Sequence, residues 1–290
     1  MEIIIASITG FASGLHASTW GMFKDSPHEG FTWLKYFRSA IIGTIYAVLL
    51  YYLFEMISQK EGIENPFNLS KASGIFLLFG SAYVVERITL EVWKTFLRTE
   101  DQSKYFIPMQ LHVGGKVVNS KPKRYLLACC YVGGIVFVGW GIFELWEYHK
   151  SGMLDWNPYL ILLLLSVGGW ISAFGGTWKD APIEGFELFK FFRSPGAAYF
   201  YALVAAHLTD NFLVITLCSI GFTIATMETH KTFMNPEKPR GKFAGMPINF
   251  PEMKEKRKKF VYVYALLWLY VLFFMVMAFV EPHEGLVGLI

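Results

Sequence analysis

One stretch of this sequence occurs twice, and the repetition limits the folds that the chain can adopt. Residues 21–39 are GMFKDSPHEGFTWLKYFRS, and residues 176–194, which lie 155 positions later, are GTWKDAPIEGFELFKFFRS. Eleven of the 19 aligned residues are identical. Self-similarity of this kind indicates an internal duplication. We therefore expect two structurally similar units within one chain.

A second pair of matching segments extends the duplication. Residues 91–96 are EVWKTF and residues 228–233 are ETHKTF, 137 positions later, so the second copy is 18 residues shorter between the two matches. Each segment precedes a basic loop that contains a lysine followed by an aromatic residue, at 104–105 and at 242–243. The duplication thus covers most of the chain.

The composition is typical of a membrane protein. Hydrophobic residues make up 54% of the chain and charged residues only 17%, whereas soluble domains contain about 25% charged residues. A helix that crosses a membrane needs about 20 mostly apolar residues. The predicted spans are residues 2–22, 39–57, 72–93, 125–147, 158–178, 195–208, 211–232 and 260–281. The sixth is the shortest, and it either begins before residue 195 or stops short of the far surface.

The expected fold class is an all-α polytopic membrane protein with about eight transmembrane helices, built from two four-helix repeats. The first repeat is residues 1–150 and the second is residues 151–290. Because each repeat has an even number of spans, both copies have the same orientation. A pseudo-twofold axis should therefore run along the membrane normal.

The distribution of basic residues predicts the orientation of the chain. The connections after the first, third, fifth and seventh spans contain 22 of the 26 Lys and Arg residues. Short loops that are rich in Lys and Arg stay in the cytoplasm. We therefore predict a plasma-membrane or inner-membrane protein with both termini on the non-cytosolic side. Its basic loops should contact anionic lipid headgroups at the cytosolic face.

The repeated stretch places two carboxylates beside basic side chains at the point where a span ends. In the first copy the carboxylates are Asp25 and Glu29, and the basic residues are Lys24, Lys35 and Arg38. A proline followed three residues later by a glycine predicts a turn rather than a continuing helix. Such a group can hold a divalent cation and a phosphate. The structural alternative is that the charges pair with one another and fix the angle of re-entry.

The third predicted span carries charges at a depth where they are costly. Glu86 and Arg87 lie about 14 residues into the apolar run, which is about 21 Å along a helix axis. Ionisable groups at such depth normally face a protein interior or an aqueous cavity. One predicted helix face carries Arg87, Glu91, Lys94 and Arg98. This face forms either a polar pathway or an Arg–Glu ladder between two helices.

The sequence supplies two groups of candidate site residues and no catalytic residue. The predicted anion-binding residues are Lys24, Lys35, Arg38, Arg87, Lys94, Lys179, Lys190, Arg193 and Lys231. The predicted carboxylates, which act as gates, ion-pair partners or metal ligands, are Asp25, Glu29, Glu86, Glu91, Asp180, Glu184 and Glu228. The candidate Mg²⁺ ligands among them are Asp25, Glu29, Asp180 and Glu184.

Three functions fit these residues, and we favour the first. It is a transporter or permeation protein for an anionic, phosphorylated or lipid substrate, with a charged cytosolic vestibule between the repeats. The second is an Mg²⁺-dependent enzyme that acts on a phosphorylated lipid at the membrane surface. The third is a non-catalytic subunit that binds other proteins through loops 94–124 and 231–259. The sequence contains no nucleotide-binding, hydrolase or zinc motif, and we expect no nucleic-acid partner.

Overall fold

The computed structural model describes residues 1–234 and 241–288, so residues 235–240 of the predicted partner loop lie outside the described residues. The chain is a predominantly helical membrane protein, with 76% of the described residues in helices. The α-helices are α1 Glu2–Glu29, α2 Trp33–Glu61, α3 Ala72–Val92, α4 Lys121–Lys150, α5 Pro158–Leu165, α6 Val167–Glu184, α7 Leu188–Leu208, α8 Phe212–Thr229, α9 Met253–Lys256 and α10 Phe260–Val280.

Within the described residues, five helical segments are long and apolar enough to cross a membrane. They are Trp33–Glu61, Lys121–Lys150, Pro158–Glu184, Phe212–Met234 and Met253–Val280. The helices α1, α3 and α7 occupy the other three positions at which the sequence predicts a span. The predicted all-α membrane class is therefore confirmed, while the internal repeat and the number of spans stay predictions.

The structure supports one of the two alternatives for the sixth predicted span, the earlier start, and it interrupts the fifth. α7 begins at Leu188 and continues through Pro195, because a single proline removes only one helical hydrogen bond and α7 packs closely against α6 at this level. The fifth predicted span is interrupted at Ser166, between α5 and α6. The Ser166 hydroxyl donates a hydrogen bond to the backbone carbonyl three residues earlier, a contact that competes with the regular helical pattern.

α3 and α8 pack against each other at the centre of the bundle. Their backbones approach so closely that a Cβ atom on Gly221 would lie 2.0 Å from the carbonyl oxygen of Gly80. Phe76 and Phe79 of α3 stack on Phe222 of α8, with ring centroids 4.4 Å and 5.8 Å apart. Small residues that allow close packing are characteristic of helix interfaces in membranes. The third helix of each predicted repeat therefore belongs to a shared core.

The first two helices of each predicted repeat form a tight hairpin through small residues. A Cβ atom on Gly14 of α1 would lie 2.0 Å from the carbonyl oxygen of Ser39 in α2. At the equivalent positions of α6 and α7, a Cβ atom on Gly169 would lie 2.8 Å from the carbonyl oxygen of Ser194. The same small-residue contact thus occurs in both halves of the chain.

Further matched contacts join the remaining helices. A hydrogen bond of 2.8 Å links Tyr46 of α2 to Thr89 of α3, and one of 2.6 Å links the equivalent residues Tyr201 of α7 and Thr226 of α8. The last helix of each half packs against the other half, since α4 contacts α8 and α10 contacts α3. These equivalent contacts support the predicted two-repeat architecture.

The two copies of the repeated stretch form the turns after α1 and α6. The prediction that the helix ends at the proline is wrong, because each helix continues through it and ends at the next glutamate, Glu29 or Glu184. Gly30 and Gly185 follow with φ values of 75° and 85°. Glycine adopts positive φ without steric cost, so these residues determine where the two helices end.

A π-helical turn extends each central helix. Trp93–Leu97 follows α3, and His230–Met234 follows α8. The wider turn changes the direction of the side chains after α3, and Arg98 lies in extended backbone with φ −67° and ψ 135°. The prediction that Arg98 shares one helix face with Arg87 is therefore wrong.

A small hairpin that the sequence analysis did not predict lies in the loop after α3. Its strands are β1 His112–Val113 and β2 Lys116–Val117, paired antiparallel. Gly114 and Gly115 form the turn with φ values of 55° and 79°. Two consecutive glycines between short strands are a hairpin signal, although strands of two residues are too short to show any alternation of polar and apolar residues.

Candidate functional site

The charged residues of the repeated stretches meet those of α3 and α8 at one end of the bundle, which we call the basic end. It comprises the turns 30–32 and 185–187, the loop 93–120 and the described part of the loop 230–259. Direct backbone contacts join these segments. The Phe106 N–H donates to the Lys242 carbonyl at 2.8 Å, and the Phe250 N–H donates to the Pro27 carbonyl at 3.0 Å.

Among the ion pairs that connect the described parts of the two halves at the basic end, two lie at equivalent positions. Lys24 of α1 lies 3.9 Å from Glu228 of α8, and Lys179 of α6 lies 3.7 Å from Glu91 of α3. The two lysines occupy equivalent positions of the repeated stretch, and the two glutamates occupy equivalent positions of the second matching segment. We call these contacts the cross-repeat ion pairs. Each half therefore contributes one lysine and one glutamate to the link between them.

A second ion pair lies within each turn. Lys35 bonds Glu29, and the equivalent Lys190 lies 2.8 Å from Glu184. Burial raises the pKa of Glu29, but the positive charges of Lys242 and Lys35 outweigh this effect and lower the pKa to about 2. Glu29 is therefore ionised at neutral pH and holds the start of α2 against the end of α1.

All four candidate Mg²⁺ ligands have a lysine partner. Besides the pairs of Glu29 and Glu184, Asp25 lies 2.7 Å from Lys242, and Asp180 lies 3.8 Å from Lys190. Within residues 1–234 and 241–288 no group of three or more His, Cys, Asp or Glu side chains is arranged to hold a metal ion. The contacts of these carboxylates thus match the structural alternative, in which the charges pair with one another.

Glu86 and Arg87 form a buried ion pair on α3. The Glu86 side chain is fully buried and that of Arg87 is 12% exposed. The Arg87 guanidinium donates to both carboxylate oxygens of Glu86, with one distance of 2.6 Å, and lies over the Trp20 ring at 5.4 Å. Further along the same helix, Glu91 makes its ion pair with Lys179 of α6.

The residues around the cross-repeat ion pairs form one group with excess positive charge, which we call the central charged cluster. Its cations are Lys24, Arg87, Lys94, Lys179, Lys231 and Lys242, and its carboxylates are Asp25, Glu86, Glu91 and Glu228. Lys242 also lies 3.7 Å from Glu29, so six cations face five carboxylates and one positive charge is uncompensated. Such a cluster attracts anions.

Lys94 is the cation of this cluster that lacks a carboxylate partner within the described chain. The equivalent Lys231 pairs with Glu228 at 3.1 Å, whereas Lys94 makes no ion pair with any described residue. Burial and the nearby Arg87 guanidinium lower the pKa of Lys94 to about 8. Keeping the Lys94 side chain charged therefore costs free energy, and a bound anion would reduce this cost.

Stability should depend on pH through Lys94. Its pKa falls from 10.5 in the unfolded chain to about 8 in the fold, so below pH 8 the folded protein carries the whole cost of the buried charge. As pH rises from 8 to 10.5 only the folded state loses this proton, and stability increases. We expect Lys94→Met to have a higher Tm than the native chain below pH 8, with an advantage that shrinks towards pH 10.5.

Thermal unfolding in detergent across this pH range measures the effect. Lys258→Met is the control, since it removes an exposed lysine from the same end of the bundle. A Tm difference between Lys94→Met and the native chain that is constant with pH would contradict the prediction.

The remaining predicted anion-binding residues lie at the edge of the cluster. The Arg38 guanidinium lies 5.5 Å over the Trp93 ring, and Arg193 is half-buried near the start of α7. The sequence analysis missed Lys242, which contacts Asp25, and Tyr105, whose hydroxyl donates to Glu29 at 2.9 Å. The lysine–aromatic pair that occurs in both basic loops was the signal that could have identified them.

Comparisons with protein-family models, with curated proteins and with solved structures find no match for this chain. The interpretation of the basic end therefore depends on its geometry and charge. A fold can serve many functions, and a function has to be argued from the chemistry of its site.

Proposed function

We propose that this protein is a transporter or permeation protein for an anionic substrate, with the central charged cluster between two pseudo-symmetric halves. The observation that carries this proposal is the reciprocal pair of contacts, Lys24 with Glu228 and Lys179 with Glu91. A scaffold does not need the same interaction twice at equivalent positions. Two halves that must separate and reclose do need the interaction twice, because the two equivalent ion pairs are then released together.

The charge of the central cluster supports an anionic substrate. A site with an uncompensated positive charge raises the local concentration of anions. Lys94 offers an ammonium group with no carboxylate partner in the described chain, close to Glu91 and Arg87. A substrate phosphate or carboxylate bound there would offset the cost of the buried positive charge. An anion could then bind before the cross-repeat ion pairs open.

In this proposal the cross-repeat ion pairs form the gate at the basic end. The ion pairs are partly exposed, with side-chain exposures of 27% and 15% for Lys24 and Glu228. Such pairs are weak enough to open. Below them the aromatic contact of α3 with α8 closes the centre of the bundle. Transport then requires the halves to move relative to each other about this contact, as in other transporters built from repeats.

Flux measurements on glutamine variants test the gate. We expect Glu91→Gln and Glu228→Gln each to lower flux by about tenfold or more, because alternating access requires this gate to close before the opposite side opens. The purified chain is reconstituted in liposomes, and uptake of radiolabelled inorganic phosphate, radiolabelled sn-glycerol 3-phosphate and a fluorescent phosphatidic acid is measured. Glu64→Gln is the control, since Glu64 pairs with Lys71 near the other end of the bundle.

A charge exchange tests the pairing directly. Lys24→Glu should lose flux, and the double variant Lys24→Glu with Glu228→Lys should recover part of it, because the ion pair is restored with reversed polarity. Size-exclusion profile and Tm establish that each variant is folded. No flux of any of the three probes by the native chain, or unchanged flux in both glutamine variants, would contradict the proposed function. Turnover of phosphatidic acid without flux would favour the enzyme alternative.

A further inference from the structure

A cavity of about 530 Å³ opens at the basic end beside the first copy of the repeated stretch. Its wall combines the end of α1, the start of α2 and parts of the loops after α3 and α8, and it includes His28, Glu29, Lys35, Glu100, Lys104 and Phe243. A volume of this size accommodates a small molecule or a lipid headgroup. The second copy has Ile183 in place of His28.

Two lysines in the wall can exchange their partners. Lys35 bonds Glu29 and Lys104 bonds Glu100, and the lysine side chains are 45% and 40% exposed. The carboxylates are more buried, at 13% for Glu29 and 26% for Glu100. In each pair the lysine is thus the partner that can move.

The carboxylates would keep cationic partners if the lysines turned away. Glu29 lies 3.7 Å from Lys242, and Glu100 lies 2.8 Å from Arg98. The Tyr105 hydroxyl also lies 2.9 Å from Glu29 and 3.3 Å from Glu100. Releasing a lysine would otherwise leave a buried carboxylate unpaired, which is the costly outcome. Here that cost is avoided, so both ammonium groups are available to an external anion.

The two lysines of the cavity match a doubly negative group. Lys35 and Lys104 can turn towards a ligand while Lys242 and Arg98 stay with Glu29 and Glu100, so two ammonium groups are available to it. Lys242 also bonds Asp25, so the whole group carries one positive charge in excess. A phosphomonoester carries a charge of about −1.5 to −2 at pH 7. A carboxylate or a phosphodiester carries only one negative charge. The two available ammonium groups therefore favour a terminal phosphate.

His28 is held in position at the same wall. Its Nδ1 donates to the Pro247 carbonyl at 2.8 Å, since a carbonyl oxygen can only accept, and its ring stacks on Phe243 with centroids 4.4 Å apart. The other nitrogen, Nε2, then carries the second proton only when the ring is protonated. In the protonated form the ring supplies a third donor to the anion.

We infer that this cavity binds the terminal phosphate of a phosphomonoester through Lys35, Lys104 and His28. The inference rests on the proposed function in one respect, because it assigns the place where the transported anion first binds. The phosphate belongs either to a soluble phosphorylated solute or to a phosphomonoester lipid such as phosphatidic acid. Both sources present the same group to the two lysines.

Binding measurements on the full chain test the inference. The protein is placed in phosphatidylcholine nanodiscs and titrated with sn-glycerol 3-phosphate by calorimetry, and in parallel its Tm is compared in nanodiscs with and without phosphatidic acid. Lys35→Gln and Lys104→Gln should each weaken binding by about tenfold, since each removes one charged hydrogen bond. The double variant should lose detectable binding. Lys71→Gln is the control, because Lys71 also pairs with a glutamate and is 38% exposed but lies near the other end of the bundle. This variant should bind both probes as the native chain does.

The outcomes separate this inference from the proposed function. Binding of sn-glycerol 3-phosphate that the double variant loses supports a solute site, and a phosphatidic acid effect alone that the double variant loses supports a lipid site. Binding that depends on the two lysines, without flux in liposomes, would overturn the transporter and leave the site standing. No binding of either probe, or binding and flux unchanged in the folded double variant, would overturn the site.

Discussion

Replacement of Glu86 by alanine is expected to destabilise the protein by about 3–5 kcal/mol, because it leaves a buried cation without its partner. The Glu86 side chain is fully buried, and its two oxygens accept hydrogen bonds from Arg87. Arginine cannot release its proton inside a protein. The Arg87 guanidinium, which is only 12% exposed, therefore remains charged and keeps its contacts with the Ser39 hydroxyl and the Trp20 ring, but it has no other ion-pair partner among the described residues.

Unfolding by titration with a denaturing detergent, together with Tm, measures this effect. Arg87→Leu should be less damaging than Glu86→Ala, because the carboxyl left behind can bind a proton and become neutral. The double variant Glu86→Leu with Arg87→Leu should recover much of the lost stability, since an apolar pair of similar volume often replaces a buried ion pair without loss. Native stability in Glu86→Ala would mean that Arg87 reaches water, which contradicts the burial seen here.

The second large effect is expected at the contact between α1 and α2. A Cβ atom on Gly14 would lie 2.0 Å from the carbonyl oxygen and 2.5 Å from the carbonyl carbon of Ser39. The clash is with backbone, so no side chain can rotate to relieve it and the two helices must separate. We expect Gly14→Ala to lower the free energy of unfolding by about 2–3 kcal/mol, at the upper end of overpacking effects.

Gly21→Ala is the matched control, because it lies on the same helix and a Cβ atom there has no heavy atom within 4 Å. Its stability should equal the native value within about 0.5 kcal/mol, as for other substitutions in open positions. Equal Tm values for Gly14→Ala and Gly21→Ala would show that α1 and α2 are not in the close contact described. Tm and detergent unfolding are measured on both variants under the same conditions.

The positions of the helices were predictable from the sequence because a membrane span depends on local composition. Each of the eight predicted apolar segments coincides with a helix in the structure. Helix ends were less predictable. Pro27 and Pro195 lie inside helices that local rules would end before them, because packing against neighbouring helices offsets the loss of one hydrogen bond.

The residues of the basic end were also visible in the sequence, but their partners were not. A charge that occurs twice at equivalent positions marks Lys24 and Lys179 as candidates. Which carboxylate each one contacts depends on how α3 and α8 pack against the helices that carry the lysines. The sequence left open whether the charged face of α3 forms a polar pathway or an Arg–Glu ladder between two helices. Lys94 has no ion-pair partner among the described residues because Glu91 lies with Lys179. Lys24, Glu91, Lys179 and Glu228 lie on α1, α3, α6 and α8, and only the packing of these four helices determines which charges meet.

The sequence by itself thus determined the helical membrane class, the matching segments and the identity of the charged residues. These properties are local, since apolar runs form helices wherever water is excluded. The tertiary structure decided which charges meet, because ion pairs such as Lys24 with Glu228 join residues more than 200 positions apart. It also created the cavity beside Lys35, whose wall comes from four separate segments of the chain. Contacts between distant segments follow from helix packing, and no local pattern specifies them.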